Sequence, residues 1–407
     1  MSNEHSSKRL SRRELLAGLG AAAAGVALVD EAVSQDRNPA AQVADRASGV
    51  KITGMRTHLV QNKVYVEIKT SRDVTGWGEI SALVPSAAEA LARRMFDLLD
   101  GENPTRIEYL WQKLFRAHRD MRGGPFMCHT IAGIDMALWD ITGKLWGVPV
   151  HRLLGGPCRD KVKVYPTSKS RKAPPAGIYD HAVTPLEIER MINQIRIDRE
   201  RVGPDGIVMF DAHCAIPPAA LIQLAAAVKA YDVLFIEEVA VPGNIEVFKR
   251  LKAAIDIPLA TGERDRTIWE FIPYLDQRCI DVLQPDVAHC GGITQMKKIA
   301  VLAETYHVPL APHCTTSPLG ATASLSVGAS IPFLLIHETA PGLLRWGEQF
   351  MNRPWTVDDA TAYATLPEGP GLGVTIDRDR MATAAADPNY KWRWPGAKLP
   401  DGSVADY

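Results

Sequence analysis

Short apolar runs alternate with amphipathic helical segments in the second half of the chain. The runs are bounded by turn-forming residues, and the helical segments between them repeat their apolar positions every three or four residues, as in β/α units. The alternation predicts a parallel sheet covered by helices. The predicted strands are residues 162–166, 207–213, 234–238, 258–263, 282–286, 308–313 and 333–338.

All but the first of these strands end on a charged residue or a histidine at regular intervals. The ends are Asp211, Glu237, Glu263, Asp286, His313 and Glu338, separated by 26, 26, 23, 27 and 25 residues. One unit of an eight-stranded β/α barrel has about that length. Since such barrels carry their catalytic groups at the C-terminal ends of the strands, we expect these side chains to converge on one mouth.

The periodicity has a gap between Pro166 and Asp211, which are 45 residues apart. Residues 185–202 read as one helix with Thr184 as its N-cap. The Pro-rich stretch before that helix is too short for another helix and a strand, so we predict an irregular connection, with residues 178–183 as a short or missing second strand.

The first half of the chain has a different pattern. Period-two alternation around residues 51–56 and 64–69 changes to helical periodicity after Pro85 and ends near a Gly-Gly-Pro break. The pattern predicts an N-terminal α+β domain over residues 50–160, a β/α domain over residues 161–355, and a loop-rich C-terminal segment, residues 356–407, that packs on the first domain.

Residues 1–35 resemble a targeting segment. Arg12 and Arg13 precede an Ala- and Gly-rich apolar run that is too short for a stable membrane span. The pattern resembles a bacterial twin-arginine signal, which predicts a periplasmic or otherwise exported protein. A disordered tail or a short uncleaved anchor is the alternative, and a non-functional signal would leave the protein in the cytoplasm.

Composition excludes several classes of partner. With 46 basic and 47 acidic residues the net charge is -1, so no bulk field attracts nucleic acid or an anionic membrane. No segment beyond the signal is apolar enough to span a bilayer. The six cysteines form no C-x-x-C pair, which argues against zinc and redox motifs, and we expect free thiols that are mostly packed. A small molecule is the expected partner.

Three of the strand-end acids predict a metal site. Asp211, Glu237 and Glu263 follow successive strands, and an all-oxygen set suits Mg²⁺, whereas zinc prefers histidine or thiolate. A lone acid is usually a surface or capping charge, but three in register favour a shared site.

The two histidines at strand ends predict proton chemistry. His213 lies two residues after Asp211, so by alternation both side chains should point into the mouth, although a structural histidine in the barrel rim is the alternative. Asp286 and His313 close neighbouring strands, and a carboxylate that orients an imidazole raises its basicity. By the same alternation Cys214 and Cys314 should point outward to the helix layer.

Several stretches resemble one family. The stretches are 122–125 (RGGP), 131–140 (IAGIDMALWD), 153–156 (LLGG), 262–264 (GER), 284–286 (QPD), 291–294 (GGIT) and 311–314 (APHC). They resemble the mandelate racemase and muconate lactonising branch of the enolase superfamily, and the likeness runs from Val50 nearly to the C-terminus.

The resemblance implies a fold and a set of roles. It implies a modified (β/α)7β TIM barrel with an N-terminal capping domain that supplies substrate loops, around residues 61–64 and 83–86. It implies Mg²⁺ held by Asp211, Glu237 and Glu263. It implies further that His313 with Asp286 is the base, that His213 is the acid, and that Glu338 lies near the substrate.

The resemblance also implies an activity. The family reaction removes the proton beside a sugar-acid carboxylate and expels the 3-hydroxyl as water, giving a 2-keto-3-deoxy acid. We expect a dehydratase of an aldonate, with D-galactonate as the expected substrate, in a homo-oligomer. Racemases carry a lysine on the second strand, but Lys169 and Lys172 fall in the predicted loop and receive no such role. The alternatives are an epimerase or cycloisomerase, or an exported sugar-acid binding protein without turnover.

Overall fold

The computed structural model describes residues 49–81, 84–166, 170–172, 183–386 and 402, the second-strand residues 170–172 by their backbone alone. The predicted export signal, residues 1–35, lies outside this part of the chain and stays a prediction. Among the described residues, no helix combines the length and the apolar character needed to cross a bilayer.

A three-stranded antiparallel meander and a set of helices form the N-terminal domain. The strands are β1 (Ile52–Val60), β2 (Lys63–Thr70) and β3 (Thr75–Ser81), and they pair in that order. The helices are α1 (Pro85–Met95), α2 (Ile107–Ala117), α3 (Pro125–Trp146) and the short α4 (Val150–Leu153). Helix α3 lies directly on β3, and a Cβ at Gly78 would stand 1.7 Å from the Gly133 carbonyl oxygen. Glycine at position 78 therefore permits the close contact between strand and helix.

The second domain alternates strands and helices, as the sequence predicts. Its elements are β4 (Lys161–Pro166), β5 (Ser170–Lys172), α5 (Pro185–Val202), β6 (Val208–Asp211), α6 (Pro218–Val228), β7 (Val233–Glu237), α7 (Ile245–Ala254), β8 (Leu259–Thr261), α8 (Thr267–Asp276), β9 (Val282–Leu283), α9 (Ile293–Thr305), α10 (Pro318–Ala329), β10 (His337–Thr339) and α11 (Pro341–Gly347).

The strands follow the order of a β/α barrel. Strands β5 to β9 pair in sequence, all parallel, and β10 pairs in parallel with β4. Single bridges at Leu310 link Leu283 on one side to Leu334 on the other, so the seventh strand is reduced to one bridged residue. Buried side chains in or next to seven of the strand positions pack together in one cluster, which includes Tyr165, Met209, Phe235, Ala260, Val282, Ala311 and Ile336. The expected α/β barrel with an N-terminal α+β cap is confirmed.

The second strand differs from the prediction. It lies at Ser170–Lys172 and pairs in parallel with β6, Lys172 opposite Asp211. The expectation of a short or missing strand at residues 178–183 is therefore wrong in position, and residues 178–182 lie outside the described residues. Lys172 belongs to this strand and not to a loop, whereas Lys169 lies outside the described residues. A three-residue strand has too few positions to show a period of two.

Buried polar contacts join the two domains. Asp135 of α3 accepts hydrogen bonds from the Thr294 backbone N–H at 3.0 Å and from the Thr294 hydroxyl at 2.5 Å, which satisfies the first turn of α9. Glu79 of β3 accepts from the Ser317 and Gly320 backbone N–H groups, 3.1 and 3.2 Å away, at the start of α10. The acidic residues of the first domain therefore cap helices of the barrel, which fixes the cap over its mouth.

The described part of the C-terminal segment contains a hairpin and a helix. Strands β11 (Val357–Asp358) and β12 (Tyr363–Thr365) pair antiparallel, and β12 also pairs with β4. Helix α12 (Arg378–Ala385) lies against β1, with the Arg378 guanidinium 2.6 Å from the Glu67 carboxylate. The segment therefore contacts both the barrel and the first domain.

The predicted cap of α5 is present and gives a stability prediction. Thr184 accepts from the Glu187 backbone N–H at 3.3 Å, and the Glu187 carboxylate accepts from the Thr184 N–H at 2.7 Å, which together form a capping box. Thr184→Ala should lower the free energy of unfolding by about 1 kcal/mol in a urea titration. Thr305→Ala, at the far end of α9, is the control and should change it by less than about 0.5 kcal/mol. Equal losses in the two variants would contradict the role of the box.

Candidate active site

Three carboxylates lie at the C-terminal ends of neighbouring strands. Asp211 and Glu237 are the last residues of β6 and β7, and the register pairs them directly. Glu263 follows β8 after Gly262, whose φ of 141° is open to glycine but strained for other residues. Asp211 and Glu237 are 3% and 4% exposed, so both sit inside the mouth and not on its surface.

The electrostatics of these acids follow from their crowding. Burial raises the pKa of Glu237 well above its usual range, and the charges of Asp211, Glu338 and Glu263 raise it further. Burial likewise raises the pKa of Glu263 to about 7, against the lowering effect of His313. Negative charge therefore accumulates at one place inside the barrel.

Asp286 and His313 form the predicted carboxylate–imidazole pair. His313 Nδ1 lies 2.6 Å from Asp286 Oδ2, and both side chains are buried. The opposite ring nitrogen, Nε2, lies 3.5 Å from the Glu263 carboxylate and 3.8 Å from that of Glu338. Because Asp286 holds Nδ1, Nε2 is the nitrogen that faces the acidic mouth and can exchange a proton there.

Neighbouring charges shift the pKa values of both members of the Asp286–His313 pair. Burial disfavours charge on His313, but Glu263, Glu338 and the bond to Asp286 raise its pKa well above the usual range. Burial alone would raise the pKa of Asp286, yet His289 and His313 hold it well below its ordinary value. Asp286 also accepts from the Ala288 backbone N–H at 2.6 Å, so its carboxylate is fixed from two sides.

Glu338 lies beside the Asp286–His313 pair, called the dyad below. It belongs to β10, is 4% exposed, and accepts a hydrogen bond from the Cys314 backbone N–H at 2.9 Å. Its carboxylate therefore links the end of the last strand to the residue that follows His313.

His289 and His129 were not predicted and lie next to the dyad. His289 Nδ1 is 3.0 Å from the Glu263 carbonyl oxygen, and it donates to that oxygen. Its ring stacks on His129 of α3, with centroids 4.4 Å apart, and lies 5.9 Å from the His313 ring. His289 follows Asp286 by three residues, and its Nδ1 lies 4.0 Å from the Asp286 carboxylate, so the local spacing could have indicated it. The contact with His129 is long-range and has no local sequence signal.

His213 reaches the site by a different route from the predicted one. Strand β6 ends at Asp211, and His213 and Cys214 have positive φ values of 48° and 56°, so the alternation of a strand does not apply. The His213 backbone N–H instead donates to Asp211 Oδ1 at 2.7 Å, which turns the chain back on itself. His213 Nδ1 lies 3.0 Å from Glu238 Oε2, and its side chain is 21% exposed.

Glu238 and Arg264 complete this side of the mouth. The Arg264 guanidinium donates to both oxygens of the Glu238 carboxylate, at 2.9 Å for the Nη2–Oε2 contact. Burial alone would raise the pKa of Glu238, but hydrogen bonds from His213 and Arg264 lower it to about 2. Neither residue is among the predicted site residues, although each directly follows a predicted metal ligand.

The two cysteines that follow the histidines differ from each other. Cys314 is buried in a core cluster with Leu325, as expected for a residue that packs against helices. Cys214 is only partly buried, and its thiol lies 3.6 Å from Glu238, so the expectation that it faces the helix layer is wrong. The left-handed backbone at this position explains the difference. Burial and the charge of Glu238 raise the pKa of Cys214 far above its usual range, so its thiol stays protonated.

Two groups of possible ligand atoms are close together in the described part of the chain. Asp286, His289 and His313 form one, and Asp211, His213 and Glu238 form the other, each with ligand atoms within 4.8 Å of one another. The predicted set Asp211, Glu237 and Glu263 is not among the groups that meet this distance in the described residues. Its members lie at adjacent strand ends, and the charge of Asp211 raises the pKa values of Glu237 and Glu263, but the three are further apart than the members of those groups.

A (β/α)7β barrel with a capping domain, three strand-end acids and a buried Asp–His pair defines the class. Residues 159–380 match the family described as Enolase C-terminal domain-like, and residues 40–155 match the mandelate racemase / muconate lactonizing enzyme N-terminal domain. The chain therefore belongs to the mandelate racemase/muconate lactonizing enzyme branch of the enolase superfamily.

Individual relatives indicate which type of enzyme within the superfamily this chain is similar to. The D-galactonate dehydratase of Ralstonia pickettii is 33% identical over 384 residues, which are 88% of this chain and 100% of the relative. That of Cronobacter sakazakii is 33% identical over 387 residues, with the same shares. An enolase from Agrobacterium radiobacter, solved with bound sodium and L-malate, has a TM-score of 0.76 at 30% identity over 87% of this chain and 99% of that one. The chain is a hydro-lyase of the enolase superfamily.

Proposed function

We propose that the protein is a Mg²⁺-dependent acid-sugar dehydratase that converts D-galactonate, or a closely related aldonate, to its 2-keto-3-deoxy acid. The observation that carries the proposal is the Asp286–His313 pair, whose free nitrogen faces the carboxylates at the mouth of the barrel. The identity to D-galactonate dehydratases along nearly the whole relative supports the substrate.

The residues present fit a divalent cation. Glu237 and Glu263 are buried among acids whose charges raise their pKa values, so the site favours a group that brings positive charge. The expected ligands Asp211, Glu237 and Glu263 offer only oxygen, which suits Mg²⁺ better than a softer metal. Held there, the cation would bind the substrate carboxylate and stabilise the negative charge that develops on it when the α-proton leaves.

The chain's own residues account for the proton transfers. His313 Nε2 removes the proton from the carbon beside the carboxylate, and the electrons of that C–H bond form a carbon–carbon double bond. His213 donates a proton to the 3-hydroxyl as its carbon–oxygen bond breaks, so the hydroxyl leaves as water with its bonding electrons. The resulting enol becomes the keto acid by proton transfer to carbon. In this scheme Asp286 fixes the ring of His313, and Glu338 lies beside the same histidine.

The capping domain supplies the roof of the site. Lys63, in the first of the two segments expected to be specificity loops, is instead the first residue of β2; it is 3% exposed and donates to the Thr315 carbonyl oxygen at 3.1 Å, just past His313. Leu83, in the second loop, lies outside the described residues. Residues around these two segments would select the substrate.

An assay with acid sugars tests the proposed function directly. The full chain with Mg²⁺ should form a 2-keto acid from D-galactonate, and a set of stereoisomeric aldonates should react more slowly. Parallel reactions in D₂O should be followed by NMR for deuterium at the carbon beside the carboxylate. If no member of the set gives a 2-keto acid while deuterium enters that carbon, the chain is an epimerase or cycloisomerase. If neither occurs with any member, the proposed substrate class is wrong.

A further inference from the structure

A second carboxylate–imidazole pair, His213 and Glu238, follows strands β6 and β7, and Arg264 joins it as a third member. His213 Nδ1 is 3.0 Å from Glu238 Oε2. The Glu238 side chain is only 2% exposed, and Arg264 donates to both of its oxygens. The Nη2 nitrogen of Arg264 is also 3.5 Å from His213 Nε2. A buried carboxylate held by a guanidinium fork is fixed in place, so it fixes in turn the ring that it contacts.

The backbone around the three residues is built to hold this arrangement. Glu238 has a positive φ of 47°, as do His213 and Cys214, and such values are uncommon outside glycine and asparagine. The Cys214 N–H donates to the Glu238 carbonyl oxygen at 2.8 Å, and the Glu238 N–H donates to the Ala260 carbonyl oxygen at 3.0 Å. Adjacent left-handed residues in two strand-end loops are therefore bonded to each other, which is a costly conformation to keep without a role.

We propose that Glu238, clamped by Arg264, is the positioning residue that fixes the tautomer and the direction of His213. The inference rests on the proposed function, in which His213 gives a proton to the leaving hydroxyl. With Nδ1 facing the Glu238 carboxylate at 3.0 Å, Nε2 is the nitrogen of His213 that would give up the proton. The Glu238–His213 contact is the counterpart of the Asp286–His313 contact. Removal of the α-proton and departure of the hydroxyl would then each use a histidine that is oriented by a carboxylate.

The amide of glutamine cannot replace this carboxylate. The Glu238 carboxylate accepts hydrogen bonds from two N–H groups of Arg264 and lies 3.0 Å from His213 Nδ1. Glutamine has one oxygen and one NH₂ group, so it must give up a donor from Arg264 or from His213. Glu238→Gln keeps the size of the side chain and removes the clamp, which makes it the informative variant.

Comparing formation of the 2-keto acid with exchange of the α-proton separates a positioning role of Glu238 from a general structural role. In Glu238→Gln, His313 and its Asp286 partner are untouched, so removal of the α-proton continues. Departure of the hydroxyl slows, and the intermediate returns to substrate after His313 has exchanged its proton with solvent. We expect formation of the 2-keto acid to fall about 10- to 100-fold in kcat, the usual effect of losing an orienting partner. Exchange of the α-proton in D₂O should be retained or increased.

The experiment uses the full chain with Mg²⁺ and three readouts. Product formation and α-proton exchange are measured on the same samples, and ¹⁵N NMR of histidine-labelled protein reports which ring nitrogen of His213 carries hydrogen. Glu348→Gln is the matched control, because Glu348 also pairs with an arginine, at 2.9 Å to Arg353, and neither residue is assigned a role in the site. The His213→Gln spectrum identifies the His213 signals by difference.

Each outcome is decisive. Loss of product with retained exchange, together with loss of the Nδ1–H signal of His213, supports the proposal. Parallel losses of product and exchange overturn it, because they mean that Glu238 acts on the whole site, as a metal ligand would in the Asp211–His213–Glu238 group. Unchanged product formation overturns it as well. If the parent chain dehydrates no acid sugar, the proposed function fails, and the NMR signal alone decides whether Glu238 fixes His213. If Glu238→Gln does not fold, Arg264→Lys, which keeps the charge but loses the fork, should give the same changes to a smaller extent.

Discussion

His313→Asn is expected to lower kcat for dehydration by about 10²- to 10⁴-fold, the range that a positioned general base contributes. Asparagine is close in size to the front of the imidazole and can still accept or donate one hydrogen bond to Asp286, but it has no nitrogen that titrates. The α-proton should stop exchanging as well, because His313 is the group proposed to remove it. Steady-state kinetics and D₂O exchange on the same preparation measure both effects.

The control for this variant is His307, an exposed histidine on the loop that enters the seventh strand position. His307 precedes the seventh strand position and has a φ of 58°, which asparagine tolerates better than most residues. His307→Asn should leave kcat within about twofold of the parent chain, since surface changes away from special features have small effects. A His313→Asn enzyme with more than a tenth of the parent activity would rule out His313 as the base.

Much of the barrel was predictable because its strands are apolar runs at a regular interval. The prediction of one acid or histidine at each strand end placed Asp211 and Glu237 at the last positions of their strands. The same reasoning overestimated strand lengths, because β8 and β9 stop two or more residues before Glu263 and Asp286. The polar mouth is therefore built by loops that continue the strand direction, which a hydrophobic pattern does not separate from the strands themselves.

The parts that sequence reasoning missed depend on backbone turns and long-range contacts. Alternation along a strand predicts an inward His213 and an outward Cys214, but the left-handed residues after Asp211 bring both side chains to Glu238. Nothing in the local pattern announces those angles, since neither residue is glycine. Likewise His129 meets His289 only because α3 of the capping domain crosses the barrel mouth.

Removing one buried acid from the expected metal set should lower the activity measured with Mg²⁺, but it should not lower the stability measured without Mg²⁺. Glu237→Gln is predicted to reduce kcat by about 10³-fold or more, because a Lewis acid contributes several kcal/mol to the transition state and each 1.36 kcal/mol is tenfold in rate. Without Mg²⁺ the variant should be at least as stable as the parent chain, because glutamine removes a buried charge that the neighbouring acids repel.

The pH dependence of stability gives the sign of this effect. The folded pKa of Glu237 is raised, so the folded state binds the proton more tightly than the unfolded chain. Without Mg²⁺ and below the unfolded pKa, Glu237 is protonated in both states and its ionisation does not change the free energy of unfolding. As the pH rises above the unfolded pKa, the parent chain loses stability, because the carboxyl ionises more readily in the unfolded chain. Glu237→Gln should abolish that contribution, so its advantage in the free energy of unfolding should grow with pH in metal-free urea titrations.

Addition of Mg²⁺ should reverse the order of the two proteins. At a free concentration of 100 times its Kd, a ligand that binds only the folded state adds about 2.7 kcal/mol to the free energy of unfolding. The parent chain should gain that amount at a suitable Mg²⁺ concentration, and Glu237→Gln should gain far less. Glu189→Gln, an exposed change on α5, is the control and should gain as much as the parent. An equal gain in Glu237→Gln would mean that Glu237 is not a ligand, and the cation would then have to be sought at the Asp211, His213 and Glu238 group, whose ligand atoms already lie within 4.8 Å of one another.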